Sequence, residues 1–185
     1  MASTVPPPIP NSRFDAPRIL LVELGRSAMG VLARRLGEAG YRVAAAESAQ
    51  SAVAELHRFP VDLVLAELSM PLMSGTELTR LIRDDSGMRD LPVILISARS
   101  DRTGTVRALE AGADDVVVKP FHHEILLARI ARLLTRARAL KELRADNAAL
   151  DARVVTRALQ LGDMRAALAE SESERTRLAG SVRNT

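Results

Sequence analysis

The chain has 185 residues, 47% hydrophobic and 26% charged, which is enough for one ordinary core plus an appendage and excludes wholesale disorder. It has no cysteine, which excludes disulfides, thiol catalysis and thiolate metal sites, and only 2% aromatics, a balance that suits helices on a buried sheet better than a β-sandwich. The net charge of +3 is uneven: 15 basic and 15 acidic residues cancel between Arg18 and Arg132, and residues 135–185 supply the excess with 10 basic against 7 acidic. A surplus this small and local argues against nucleic acid as the partner.

Residues 1–16 are rich in Pro, Ser and Asn and lack periodicity, so a disordered tail is expected there. The start has no charged segment followed by an apolar run, as a signal peptide would. No stretch approaches the ~20 apolar residues that span a bilayer, so a cytoplasmic protein without membrane insertion is expected. Short apolar runs then recur at Ile19–Val22, Val43–Ala46, Leu63–Ala66, Val93–Ile96 and Val116–Val118. Their continuity predicts parallel strands covered on both faces. Helical spacing lies between them, as in Met29, Leu32, Ala33 and Leu36, or Val53 and Leu56. Gly40 and Gly112 follow expected helix ends, and Ser48 and Ser100 are expected N-caps. Strand and helix alternating in this way predict an α/β fold with right-handed crossovers.

From about His123 to Ala179 there is no proline and one glycine, Gly162. A helix of that length would extend about 80 Å at ~1.5 Å per residue, too far to bury its stripe on its own domain. With Leu140 at heptad position a, that series reads Leu133, Leu140, Asn147, Val154, Leu161, Leu168 and Arg175. The d series reads Arg136, Leu143, Leu150, Arg157, Met164, Ser171 and Leu178. The best seam runs from Leu140 to Leu168, interrupted at Arg157. A lone Asn at a, flanked by Leu at d, favours a parallel homodimer, although Asp146 would face Asp151 of the partner. Antiparallel pairing, and a helix docked on another domain or left frayed, are the alternatives. The expected domains are the tail at 1–16, a globular domain at 17–134, a coiled-coil dimerisation helix at 135–180 and a disordered end at 181–185.

Function in an open α/β sheet gathers at the carboxyl ends of the strands, and the polar residues there are Glu23, Glu67, Ser97 and Lys119. The segments RILLVE, VDLVLAELSMPLMSG, VILISAR and GADDVVVKPF resemble, in order, the strand-end motifs of receiver domains of two-component response regulators. The resemblance covers about residues 17–134. It implies a flavodoxin-like (βα)5 doubly wound sheet of strand order 2-1-3-4-5, with the last helix here prolonged into the coiled coil. It also implies a pocket in which two acids hold Mg²⁺, an Asp accepts a phosphoryl group, and a Ser or Thr, an aromatic and a Lys-Pro pair assist. Mapped onto this chain, the first acid is Glu23, the second is Leu24, the acceptor is Glu67, the hydroxyl is Ser97 and the aromatic is Val116. Lys119-Pro120 is intact, and the resemblance implies a cis bond there.

Leu24 removes a carboxylate from the ligand set of an ion that demands near-ideal oxygen geometry. Glu67 is one methylene longer than Asp, and a misplacement of that order costs ~10²-fold in rate. Val116 has no ring to swing. A degenerate, non-enzymatic receiver with no metal and no cofactor is therefore expected, signalling by protein–protein contact through its globular face or its coiled coil. Glu67 is expected to reach both the Lys119 ammonium and the Ser97 hydroxyl, holding one state; the plainer alternative is a residual ion network of structural value. Two further alternatives stand: a working phospho-acceptor using Glu67 or a nearby acid, and binding of nucleic acid or a cyclic dinucleotide by Arg129, Arg132, Arg136, Arg138, Lys141 and Arg144. His57, His122 and His123 show no metal spacing, Asp114-Asp115 read as a solvated loop edge, and the glycines form no phosphate-cradling motif.

Overall fold

The structure is a computed structural model; it describes residues 16–22, 25–98 and 101–182, the side chains of 26–27, 166–167 and 171–182 excepted. Strands β1 (Arg18–Val22), β2 (Arg42–Ala46), β3 (Leu63–Glu67), β4 (Val93–Ser97) and β5 (Asp115–Val118) alternate with helices α1 (Arg26–Glu38), α2 (Ala49–Arg58), α3 (Gly75–Asp84), α4 (Arg102–Glu110) and α5 (His123–Val182). All pairings are parallel, in the order β2-β1-β3-β4-β5. The resemblance implied this order, which reverses between β1 and β3.

Side-chain alternation along each strand divides the core in two. Leu20, Val22, Val64, Ala66, Val93 and Leu95 face the side holding Ala49, Ala52, Leu78, Ile82 and Ala108. Ile19, Leu21, Leu63, Leu65, Ile94 and Ile96 face Leu32, Leu36, Leu126, Ile130 and Leu133. The three inner strands are sealed on both faces, as their unbroken apolar runs predict. The edge strands are not: β2 keeps only Ala46 buried and β5 only Val117, because an edge strand has a neighbour on one side alone.

Local chemistry fixes the helix starts. Ser48 and Ser51 form a reciprocal capping box on α2, and Ser74 and Glu77 another on α3, each satisfying amides that a helix start leaves without partners. The cap of α4 is Asp101, whose carboxylate accepts from the Gly104 amide at 2.7 Å. This corrects the expectation of Ser100, which lies outside the described residues. Gly40 and Gly112 sit at φ 87° and 94°, the left-handed region where a Cβ is costly.

Two compact units divide at Arg138 and Ala139. Leu133 is buried in the globular core, inside the α/β unit to which the expected boundary at residue 134 assigned it. No described helix is long and apolar enough to cross a membrane.

Candidate signalling site at the carboxyl edge of the sheet

Glu67 ends β3, the central strand, and its position is set by backbone on both sides. The Leu68 amide donates to the Ile96 carbonyl at 2.8 Å, and the Gly75 amide donates to the Leu68 carbonyl at 2.9 Å. A Cβ on Gly75 would lie 2.5 Å from the Glu67 carbonyl oxygen and 2.9 Å from Leu95, so the turn closes over the strand end only because residue 75 has no side chain. Between them Leu72 stands almost wholly exposed at φ 64°, a conformation rare for a branched side chain.

Lys119 continues the β5 ladder, its amide donating to the Ser97 carbonyl at 2.9 Å. The Lys119–Pro120 bond is cis. The Lys119 ammonium donates to both oxygens of Glu67, at 2.7 and 3.0 Å, with the Glu67 side chain 18% exposed and that of Lys119 41%. Ser97 is fully buried, but among the described hydrogen bonds it does not meet Glu67. Its hydroxyl donates to the Ala98 carbonyl at 3.1 Å and lies 3.5 Å from the Asp101 carbonyl, with the Thr105 hydroxyl 3.4 Å away. The expected three-way contact is thus corrected to a pair: nearby carbonyls of the β4–α4 turn take the Ser97 proton. Thr105 and Asp101 join the site without any sequence signal beyond an ordinary helix start.

Val116 is half-buried against the α2–α4 core. Glu23 and Leu24 lie outside the described residues. Among the described residues no group of three or more His, Asp or Glu is arranged to hold a metal ion. The one described carboxylate at this edge that a cation would need, Glu67, spends both oxygens on an ammonium.

The aspartates at the start of β5 are not a solvated loop edge. Asp114 accepts from Arg83 and from the Val93 amide, each at 2.8 Å. Asp115 holds Arg129 through both oxygens at 2.7 Å. That pair draws Arg129 out of the basic stretch offered as a phosphate patch. Arg138, at the end of the first unit, lies near Tyr41, whose hydroxyl pKa is raised by burial and only partly brought back by that guanidinium.

In the second unit, the apolar residues of the expected heptad seam are exposed on α5. Leu140 is 36% exposed, and Leu143, Leu150, Val154, Leu161, Met164 and Leu168 between 54% and 66%; Asn147 and Arg157 are exposed as well.

Comparison with known proteins places this geometry. Residues 19–131 match the family model described as the response regulator receiver domain. The chain is 39% identical over 119 residues to an uncharacterized transcriptional regulatory protein, YvcP, of Bacillus subtilis, covering 64% of this chain and 49% of that one. It is 37% identical over 134 residues to the sensory transduction protein RegX3 of Mycolicibacterium smegmatis, covering 72% and 58%. The chain therefore spans about half the length of the curated relatives it matches. Among solved structures, the signal receiver domain of a histidine kinase from Syntrophus aciditrophicus superposes with a TM-score of 0.62 at 35% identity, covering 65% of this chain and 91% of that one. The receiver domain of the sensor histidine kinase PA1611 from Pseudomonas aeruginosa, which carries a magnesium ion in its active-site cleft, gives 0.60 at 29% identity, covering 65% and 98%. With the five-stranded order, the Lys119-Pro120 pair after β5 and the match over residues 19–131, the chain belongs to the response regulator receiver domain family.

Proposed function

We propose that this receiver signals without accepting a phosphoryl group, acting as a homodimeric adaptor that binds another protein. The observation that carries the reading is the Glu67–Lys119 pair: both carboxylate oxygens face the ammonium at 2.7 and 3.0 Å. In a phospho-acceptor the carboxylate must attack a phosphorus atom while a cation screens the incoming charge. Here the chain's own lysine neutralises it. The magnesium in the PA1611 receiver marks the contrast, since Leu24 offers no oxygen where the family motif has an acid. Receiver domains are signalling modules, and the pair leaves this one with a standing internal charge balance in place of a switchable one.

The exposed row from Leu140 to Leu168 supports self-association through α5, with Asn147 matched to its twin in parallel register. The unknown client would be met either on the globular face or along this helix.

Intact mass after incubation with acetyl phosphate and Mg²⁺ tests the first claim. No gain is expected for the native chain or for Glu67→Asp, and a gain is expected once Leu24→Asp is added. One phosphoryl mass on the native chain would overturn the reading. Sedimentation tests the second: Leu150→Asp with Leu161→Asp should yield monomers, and a native chain already monomeric at micromolar concentration would sink the dimer.

A further inference from the structure

Between Leu140 and Met164 the exposed row on α5 is interrupted twice, by Asn147 at heptad position a and by Arg157 at d. The row is nearly a palindrome about Ala152. Leu140 and Met164, Leu143 and Leu161, and Leu150 and Val154 stand at equal distances on either side of it, and so do Asn147 and Arg157. In a parallel pair each of these residues meets its own twin, whereas in an antiparallel pair each a residue meets a d residue of the other helix. Centred on Ala152, an antiparallel pair therefore sets Leu140 on Met164, Leu143 on Leu161 and Leu150 on Val154 of the second copy. Either direction covers every apolar residue of the row with another, so the two polar positions decide.

The parallel pair matches Asn147 with Asn147, but it sets Arg157 on Arg157 in the seam and Asp146 against Asp151, like charges in each case. The antiparallel pair sets Asn147 on Arg157 twice. A guanidinium only donates and an amide oxygen accepts, so both polar layers find complementary partners. Side chains lean toward the amino end of their own helix, which carries the Arg157 guanidinium toward Asp151 of the second copy, about one turn away. Among the described residues, neither Asp151 nor Arg157 has an ion-pair partner in its own chain. Asp151 also nears its twin at the dyad, with a guanidinium beside each. Arg153 meets its twin at the outer edge, a contact left in water and of little weight. We propose that α5 holds a second copy in this antiparallel register as well as in the parallel one, with Asn147 seated on Arg157 and Arg157 on Asp151 of the second copy. The inference rests on the reading that α5 self-associates, and deepens it by naming a second direction.

The chain has no cysteine, so introduced cysteines report direction. Full-length Leu143→Cys and isotopically labelled Leu161→Cys are mixed, equilibrated in glutathione buffer and read by intact mass. A disulfide needs Cα atoms within about 7 Å. The two positions face each other in the antiparallel register and lie about 27 Å apart in the parallel one, at ~1.5 Å per residue. Expected is a mixed disulfide between positions 143 and 161 well above its yield from the same chains in urea, beside the 143–143 disulfide of the parallel pair. Asp151→Arg turns the Asp146 contact of the parallel pair into an attraction and sets like charges beside Arg157 in the antiparallel one. It should lower the ratio of mixed to 143–143 disulfide about tenfold. Arg157→Leu relieves the parallel pair and removes both Asn–Arg layers. It should lower the ratio at least as far, and keeps the test intact if the first variant fails to associate. A mixed disulfide no more abundant than in urea, or a ratio unmoved by both variants, would overturn the proposal. Sedimentation separates the two readings: native dimers without the mixed disulfide defeat this inference alone, whereas a monomeric native chain defeats the parent reading with it.

Discussion

The two edges of the sheet each hold an ion pair of nearly equal length, and they differ in everything that decides strength. At the amino edge Arg83 reaches from the end of α3 and donates to the carbonyls of Gly112, Arg89 and Leu91 at 2.8–3.0 Å, and to Asp114 at 2.8 Å. Asp114 in turn receives the Val93 amide. One planar fork ties α3, the α3–β4 loop and the starts of β4 and β5. At the carboxyl edge Lys119 and Glu67 meet at 2.7 Å and bind nothing else by their charged ends among the described hydrogen bonds. A guanidinium fixes direction through a rigid fork, whereas an ammonium is a point charge on a flexible stem. The amino edge is fastened; the carboxyl edge is balanced.

Removing the fastening should produce the largest effect. Arg83→Ala removes four hydrogen bonds at once, those to the Gly112 and Leu91 carbonyls part-buried and the other two exposed, and should lose about 1–3 kcal/mol. Arg83→Lys should recover little of it, because one ammonium cannot reproduce four directed bonds. Urea denaturation of the three proteins decides the matter, and a loss below about 1 kcal/mol for Arg83→Ala would place this network among ordinary surface pairs.

Next in size is the turn that seats Glu67. A methyl on Gly75 meets the Glu67 carbonyl at 2.5 Å and Leu95 at 2.9 Å, so Gly75→Ala must displace the strand end and should cost about 1–3 kcal/mol. Gly30, within α1, has nothing within 4 Å of an added Cβ, and Gly30→Ala should instead stabilise by about 0.5–1 kcal/mol. Opposite signs in thermal melts would separate a packing requirement from mere chain freedom; the same sign for both would refute it.

Smaller still is the balance itself. Lys119 is 41% exposed, so solvent screening discounts the pair, and Lys119→Met should change stability by under about 1 kcal/mol. The comparison sharpens if Arg83→Ala costs several times as much in the same buffer. A loss for Lys119→Met matching that of Arg83→Ala would show that the carboxyl edge is built for stability as well.

How much of this was readable in advance follows from what each signal depends on. The inner strands were legible because Leu63–Ala66 and Val93–Ile96 are apolar without a break, and burial on both faces writes itself into the run. Glu67 and Lys119 were legible as strand ends within family motifs. The Arg83 network was not: an arginine in the last turn of an amphipathic helix before two aspartates looks like solvated charge. Its partners lie as far as Asp114, and only the packing of α3 beside the α4–β5 turn brings them together. Ser97 failed for a finer reason. Its place was given by the motif, but the direction of a hydroxyl is decided by whichever carbonyls the following turn presents, here Ala98 and Asp101. The same limit hid the pairing of Asp115 with Arg129, which needs the phase of α5 against β5. The clue available was the spacing of Arg129 from Leu126 and Ile130, which places it beside the buried stripe.

The smallest expected effect tests whether charge alone, with no burial, matters at the turn that closes over Glu67. Glu77 accepts from the Ser74 amide and hydroxyl, both at 2.8 Å. Those bonds, the backbone one first, hold its carboxyl pKa below the usual value, against a smaller opposing pull from desolvation. A depressed folded-state pKa means that the unfolded chain binds the proton more readily. The stabilisation is therefore present above the unfolded carboxylate pKa and is lost as pH falls through the folded one. Glu77→Gln keeps a capping acceptor but no charge, so the stability gap between native and variant should be widest near neutral pH and close as the buffer is acidified. High salt should shrink it at every pH, since an exposed charge is screened within ~3 Å at 1 M. A gap that stays constant from neutral to acid would mean that hydrogen-bond geometry at Ser74, and not ionisation, secures the start of α3.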